Sequence, residues 1–452
     1  MGMTIVDEVL ADLTSRRHRG VIVDSPPGAG KSTLVVTAAR HLAALGERLM
    51  IIAQVNEQVD DLIDRLSSKE PTLAIGRLSA TSYKPSERVL RPNVTIAGKV
   101  GELGEPAVTI ATSAKWATLS DGRWDWAIVD EAYQMRSDML LRVAGRFERA
   151  LFVGDPGQLD PFSPVEGERW TGLSWDPVQS AVSVLRRHNP ELPVHRLPVS
   201  WRLPASAAPV VSDAFYPFTG FTSGTGFGDR RLEFPALEAA MGSATGSGTG
   251  SASGSATGSA VDLAMGSAVD LAIDEAASSG WALLELPARH TMRTDAEAVE
   301  AIVRLVARLL ERGGTTHDEH GSRPLTADRV AVGAAHRDQV AAIRAAGLPA
   351  GVTVDTANRL QGREYDVTVV LHPMSGRRDV TDFHLAPGRL CVLTSRHRHA
   401  CVVVARAGIP DVLDAHPSTE PVHLDVPVAF PDGWEANQAL LAHLAKHRIS
   451  CP

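Results

Sequence analysis

Short apolar runs in this chain end abruptly in polar or glycine-rich clusters, and a helical pattern often follows. VIVD (Val21–Asp24) leads into SPPGAGKST, LMIIA into QVNEQVDDL, VTIA (108–111) into TSAKW, WAIVD into EAYQM, and LFVGD into PGQLDP. Continuous apolar runs mark strands buried on both faces of a parallel sheet, with helices as the crossovers. Ligands bind such sheets beyond the carboxyl ends of the strands. The five polar clusters are therefore expected to converge on one edge. Ile5, Val6, Val9, Leu10 and Leu13 form one helical apolar face before the first strand, and Val59, Leu62, Ile63 and Leu66 form another after the second.

The second half repeats the theme. VHRL leads into PVSWRLP, VAVGA into AHRDQ, and VTVDT into ANRLQGREYD; VTVVL and RLCVLTSRHRHACVVVA follow. Two α/β halves with a cleft between them is the economical architecture. The expected divisions are a first domain over 1–192 and a second over 193–410. A tail over 411–452 ends in an amphipathic stretch, WEANQALLAHLAKH, read as a docking helix. Two segments break the pattern. Residues 76–107, with KPSERVLRPNV and several glycines, read as a small insertion in the first domain. Residues of about 225–278 hold the repeats GSAVDLA (258–264, 266–272) and AMGSA (240–244, 264–268) amid Gly, Ser, Ala and Thr. That composition reads as a flexible, low-complexity loop inside the second domain.

Composition narrows the class. At 452 residues the chain exceeds one ordinary core, and its 44% hydrophobic and 22% charged content is that of a globular protein. Acids in the first residues replace the basic start of a signal peptide, and no apolar run is long enough for a bilayer. Cys391, Cys401 and Cys451 form no CxxC pair, so buried thiols in a reducing cytoplasm are expected. The net charge of −8 opposes broad, non-specific nucleic-acid binding but permits a local channel. Lysine occurs only at Lys31, Lys69, Lys84, Lys99, Lys115 and Lys446, so one inside a glycine loop stands out.

That loop is Val23–Thr33, VDSPPGAGKST. A strand, a glycine turn and then a helix is the context in which backbone N–H groups surround phosphates. Gly28, Ala29, Gly30, Lys31, Ser32 and Thr33 are the candidate nucleotide-binding residues; Lys31 would reach the outer phosphates and the Ser32 hydroxyl would hold Mg²⁺. Ser25 stands where the pattern begins with glycine. Asp130 and Glu131 end the run WAIV. Asp130 can hold Mg²⁺ through water, and Glu131 can polarise the attacking water. Gln158, in GDPGQLDP, can hydrogen-bond the terminal phosphate or that water. Hydrolysis of Mg–ATP is the expected reaction.

The phosphate loop, DEAY and VGDPGQLDP, in that order, resemble the motifs of superfamily 1 helicases. The branch containing the RNA-surveillance helicases of nonsense-mediated decay is similar at further points. These are AQVNEQVDDL (53–62), VSWRLP (199–204), FYPFTGFTSG (215–224), TANRLQGREYD (356–366) and RLCVLTSRHR (389–398). The resemblance covers roughly 20–405 outside the insertions. It implies two RecA-like phosphate-loop NTPase domains, ATP and Mg²⁺ as cofactors, a single strand of DNA or RNA as partner, and 5′→3′ movement by a monomer. Catalysis would fall to Glu131, Gln158, Arg202 and Arg396, the two arginines reaching across the cleft to the terminal phosphate. Trp201 would stack on the base, and Gly362, Arg363 and Glu364 would link nucleotide to nucleic acid. Asn56, Thr112, Ser113 and Thr356 would line the strand-binding face.

Residues 1–30 hold no glutamine, so the residue with which that family reads adenine has no counterpart. The segment 76–107 is short for the family's strand-contacting barrel. Trp116 and Phe162 are alternatively base-stacking or packing residues, and HDEH (317–320) alternatively a loop or a metal site. Two other functions fit the same residues: a nucleotide-gated clamp that holds a strand without unwinding it, and an ATPase acting on protein partners.

Overall fold

The computed structural model describes residues 4–159, 161, 177, 179–235, 256–378, 380–417 and 431–451. They form two compact units, Met1–Val199 and Ser200–Pro452.

The first unit is built on β1 (Gly20–Asp24), β2 (Leu49–Ala53), β3 (Ile75–Leu78), β4 (Val94–Ala97), β5 (Val108–Thr112), β6 (Trp124–Asp130), β7 (Phe147–Gly154) and β8 (Val194–Arg196). They make one eight-stranded sheet in the order β4-β3-β5-β2-β6-β7-β1-β8, every neighbouring pair parallel. All residues of β1 and β2 are buried, as their unbroken apolar sequences require of central strands. Helices cover the sheet. In Asn56–Lys69, Val59, Leu62, Ile63 and Leu66 are buried on one face at helical spacing. Helix Ile5–Ser15 starts at a capping box between Thr4 and Asp7.

Two expectations for this unit are corrected. Residues 76–107 are no insertion: they supply most of β3 and all of β4, which extend the main sheet at one edge. Their strand signal is masked by Arg77, whose fully buried side chain lies 2.8 Å from Asp60. Tyr83 also donates to Asp60 (2.7 Å), and its ring lies 3.4 Å from the Arg77 guanidinium. A buried charge is tolerated where its partners surround it. Residues 194–196 were expected to open the second half; as β8 they pair with β1 and close the other edge of the first sheet.

The second unit begins with a short ribbon of β9 (Val199–Ser200) and β10 (Thr222–Ser223). Its remaining strands are β11 (Arg231–Glu233), β12 (Trp281–Leu286), β13 (Thr315–Asp318), β14 (Gly321–Pro324), β15 (Val330–Ala334), β16 (Thr353–Thr356), β17 (Tyr365–Leu371), β18 (His397–Arg406) and β19 (Arg448–Ser450). A six-stranded parallel sheet has the order β16-β15-β17-β18-β12-β19, and β11, β13 and β14 form a separate antiparallel sheet. Both units are thus RecA-like α/β layers. RLCVLT is helical (Pro387–Thr394), and the strand starts only at His397, after a turn at Ser395 and Arg396.

The flexible-loop reading of the repeats is also corrected. Residues 236–255 lie outside the described residues, but Ala256–Ser279 is one helix. Ala268, Val269, Ala272, Ile273 and Ala276 are buried in the core of the unit. Their spacing is helical, and alanines let the helix lie close to its neighbours. Asp270 on this helix pairs with Arg308 (2.8 Å) of helix Ala296–Glu311, and Asp274 with Arg312 (2.7 Å), which caps that helix. Composition counted small residues and missed their phase. The tail contributes helix Gly433–Leu444 and the edge strand β19, with 418–430 outside the described residues. No described helix is long and apolar enough to cross a membrane. Cys391, Cys401 and Cys451 are all buried.

Candidate active site

β1 delivers the chain into the glycine loop, and helix Lys31–Ala44 leaves it. Gly28 (φ 75°) and Gly30 (φ 89°) adopt left-handed conformations that side chains disfavour, so the turn is glycine-dependent at these two places. Ser25 has no such conformation, which explains why serine replaces glycine there; its N–H donates to the Gly154 carbonyl across 2.8 Å. The first turn of the helix keeps its backbone N–H groups aimed at the loop, the usual seat of a phosphate.

β6 places Asp130 and Glu131 beside this loop. Lys31 Nζ lies 2.5 Å from Glu131 Oε1. Burial alone would lower the Lys31 pKa, but Glu131, Asp130 and Asp155 hold it above its ordinary value. Asp130 is the converse: burial first, then the Glu131 charge, push its carboxyl up to about 7 against the pull of Lys31. Its Oδ1 is buried with no hydrogen-bond partner among the described residues. A buried, under-satisfied carboxylate fits a divalent cation, which would restore its charge, and Ser32 follows Lys31 in the first turn of the helix. Glu131 itself is left-handed (φ 52°), a strained state for a non-glycine residue. The chain then passes tightly against β7: a side chain at Gly154 would meet Tyr133 Cδ2 at 2.9 Å and the Ala132 nitrogen at 3.0 Å.

Beyond β7, Asp155 is buried and accepts from Gly157 N–H (3.1 Å) and from Gln158 Nε2. That second bond sets the Gln158 amide. Its nitrogen is engaged, and its oxygen, buried without a partner among the described residues, remains an acceptor. Lys31, Asp130, Glu131 and Gln158 therefore all follow the carboxyl ends of β1, β6 and β7, three adjacent strands.

The expected strand-facing residues have local partners. Thr112 caps a short helix, its hydroxyl accepting from Lys115 N–H (3.2 Å). Ser113 donates to Gln54 Oε1 (3.2 Å), and Gln54 Nε2 donates to the Asp130 carbonyl (3.4 Å). Asn56 is the first residue of its helix, and its side-chain Oδ1 accepts from Arg77 (3.1 Å). Thr356 ends β16, its N–H held by Asp355 (2.9 Å). Gln54 was missed by sequence reasoning; its place directly after β2 was the available signal. Trp116 is not a stacking surface: it is fully buried, its indole N–H bonded to the Ile51 carbonyl (2.9 Å) and its ring edge-on to Trp124. Phe162 lies outside the described residues.

In the second unit, Trp201 is 59% exposed while Arg396 is buried, with Nη2 donating to Ser395 Oγ (2.8 Å). Gly362 (φ 78°) turns the chain into Arg363 and Glu364. Glu364 lies 3.3 Å from both Arg202 and Arg398. Burial would raise its pKa, but these two guanidinium groups hold it below the ordinary value. HDEH forms the end of β13 and its turn. His317 bonds Ser322 (2.7 Å), Asp318 pairs with Arg323 (2.7 Å), and Glu319 pairs with Arg230 (2.8 Å) and Arg398 (3.0 Å). Among the described residues no cluster of three or more His, Cys, Asp and Glu side chains is arranged to hold a metal ion.

Strand, glycine loop, lysine and paired carboxylates define the class: a nucleotide site of the phosphate-loop type on a parallel α/β sheet. Residues 7–168 match the AAA domain family. The DNA replication ATP-dependent helicase/nuclease DNA2 of Saccharomyces cerevisiae is 23% identical over 171 residues, 36% of this chain and 11% of that protein. Its Xenopus laevis counterpart is 26% identical over 157 residues, 33% of this chain and 15% of that protein. The aligned stretch thus spans only a small part of these curated relatives. Among solved structures, the PRRSV helicase is similar over 89% of this chain and 55% of its own, with 13% identity and a TM-score of 0.42. The arterivirus nonstructural protein 10 helicase, in complex with DNA, has the same identity and TM-score over 89% and 62%.

Proposed function

We propose that this protein is an ATP-dependent helicase or translocase on single-stranded nucleic acid, of the superfamily 1 type and the branch of the RNA-surveillance helicases, working as a monomer in the 5′→3′ direction. The observation that carries this reading is the gathering of Lys31, Asp130, Glu131 and Gln158 at one sheet edge, with Gln54 bridging Ser113 to the backbone of Asp130. The first group supplies hydrolysis. The bridge supplies a short path from a strand-facing loop to the hydrolytic loop. DNA is the first strand to test, because the relatives are named as DNA replication helicases.

Lys31 binds the outer phosphates, and Ser32 and Asp130 would hold Mg²⁺, which neutralises phosphate charge when bound. Glu131 Oε1 lies 2.5 Å from Lys31 Nζ, and its carboxylate would accept a proton from the attacking water. Gln158 Oε1 is an acceptor, so it orients the attacking water rather than the phosphate. Arg202 and Arg396 would sense the terminal phosphate, Trp201 would stack on the base, and Gly362, Arg363 and Glu364 would relay the nucleotide state. Thr112, Ser113, Asn56 and Thr356 would face the strand. Donors of this neutral kind read a sugar–phosphate backbone without a large positive field, which accommodates the −8 net charge.

The test is ATP turnover alone, with single-stranded DNA and with single-stranded RNA, followed by duplexes tailed at either end. Stimulation by one strand type and release from the 5′-tailed duplex are expected. Turnover indifferent to both strands sinks the reading; retention without strand release leaves only a clamp.

A further inference from the structure

Five side chains of the second unit close a circuit around the Trp201–Arg202 turn. Arg230, whose side chain is 1% exposed, donates Nη2 to the Trp201 carbonyl (2.7 Å) and Nη1 to the Arg202 carbonyl. The same guanidinium grips Glu319 with Nε (3.1 Å) and Nη2 (2.8 Å). Glu319 also accepts from Arg398 (3.0 Å), Arg398 from its other side reaches Glu364 (3.3 Å), and Glu364 holds Arg202 Nε (3.3 Å). The chain of contacts thus leaves the Arg202 carbonyl and returns to the Arg202 side chain. Gly224 completes the seat. A side chain there would lie 2.4 Å from Trp201 Cε3, so the indole rests on bare backbone. Glu319 is the third residue of HDEH, and its carboxylate is taken up by the ion pairs to Arg230 and Arg398.

We propose that Arg230, anchored by Glu319, is a positioning residue that sets the main chain of Trp201–Arg202 and through it the aim of the Arg202 guanidinium. This rests on the reading of Arg202 as a phosphate-sensing arginine. A buried planar fork that binds two consecutive carbonyls and a carboxylate has no substitute in lysine, which is a point charge. Misplacing a charge that acts on a transition state lowers kcat while leaving substrate affinity nearly intact.

The experiment is steady-state ATPase kinetics of wild type, Arg230→Met, Arg230→Lys, Glu319→Gln, Arg202→Ala and the double variant Arg202→Ala/Arg230→Met, with indole emission read on each. Arg230→Met and Arg230→Lys are expected to lower kcat about tenfold or more with KM changed less than about threefold. Glu319→Gln, at a half-exposed turn position, is expected to lower kcat in the same sense with an unaltered fold and a shifted Trp201 emission. The double variant should be no slower than Arg202→Ala alone, because the two act as one unit. Wild-type kcat in Arg230→Met or Glu319→Gln, with Arg202→Ala inactive, overturns the positioning role alone. Full activity of Arg202→Ala instead removes the underlying reading and the proposal with it. Should Arg230→Met fail to fold, Glu319→Gln decides the question by itself.

Discussion

Tyr133 donates its hydroxyl proton to Asp24 across 2.6 Å, tying the turn after Asp130–Glu131 to the last residue of β1. Arg186 donates to the same phenol oxygen (3.1 Å) and lies 3.5 Å from the carboxylate. Burial pushes the Asp24 carboxyl up despite these partners, and drives the Tyr133 hydroxyl well above its ordinary range. The bond therefore joins the two loops that hold the proposed catalytic groups. Tyr133→Phe leaves a buried carboxylate short of a donor. It is expected to cost about 1–3 kcal/mol in urea unfolding and to lower ATP turnover; an unchanged midpoint and rate would show that the loops are positioned independently.

Asp130 gives the protein a pH signature when no cation is bound. Its folded pKa of about 7 lies above the ordinary 3.8, so the folded state binds more protons across that window. Stability then falls as pH rises from about 4 to about 7, by at most ~1.4 kcal/mol per pH unit from this one group. Thermal melts in EDTA should show this slope, and Asp130→Asn should remove it. A slope unaffected by the substitution would assign it to other groups.

Gln158→Glu replaces the amide that donates to Asp155 with a second carboxylate. Repulsion should turn the side chain away from its acceptor position and lower kcat by about 10²-fold, with ATP affinity little changed. Single-turnover kinetics with binding measured separately distinguishes this from loss of nucleotide.

Arg396→Ala should leave nucleotide binding largely intact and stop hydrolysis, while Lys31→Ala should abolish turnover. Fluorescent-nucleotide titration beside an ATPase assay reads both. Unchanged turnover in Arg396→Ala removes that arginine from the site.

Ile273→Ala tests the repeat helix. A fully buried isoleucine lost from a packed helix costs about 2–5 kcal/mol, whereas the same change in a flexible loop costs nothing. Denaturant midpoints decide between them.

What the amino-acid order determined alone was the local chemistry: which apolar runs are strands, which glycine turn precedes Lys31, and that Asp130, Glu131 and Gln158 follow strand ends. These are short-range properties, carried by burial on both strand faces and by the few residues that allow a left-handed turn. Three-dimensional packing decided everything that depends on distant partners. Arg77 is a strand residue because Asp60 neutralises it and the Tyr83 ring covers it, β8 belongs to the first sheet because β1 has a free edge, and Val269 and Ile273 are core because their helix meets a sheet. Gln54, Tyr133, Arg230 and Glu319 carry no signature of their own. Gln54, Tyr133 and Glu319 acquire their roles from Ser113, Asp24 and Arg398, between 59 and 109 positions away, and Arg230 from Trp201, 29 positions back. A hydrogen bond between such residues leaves no periodic trace in the chain, so only the folded backbone, by bringing them within 3 Å or so, could reveal it.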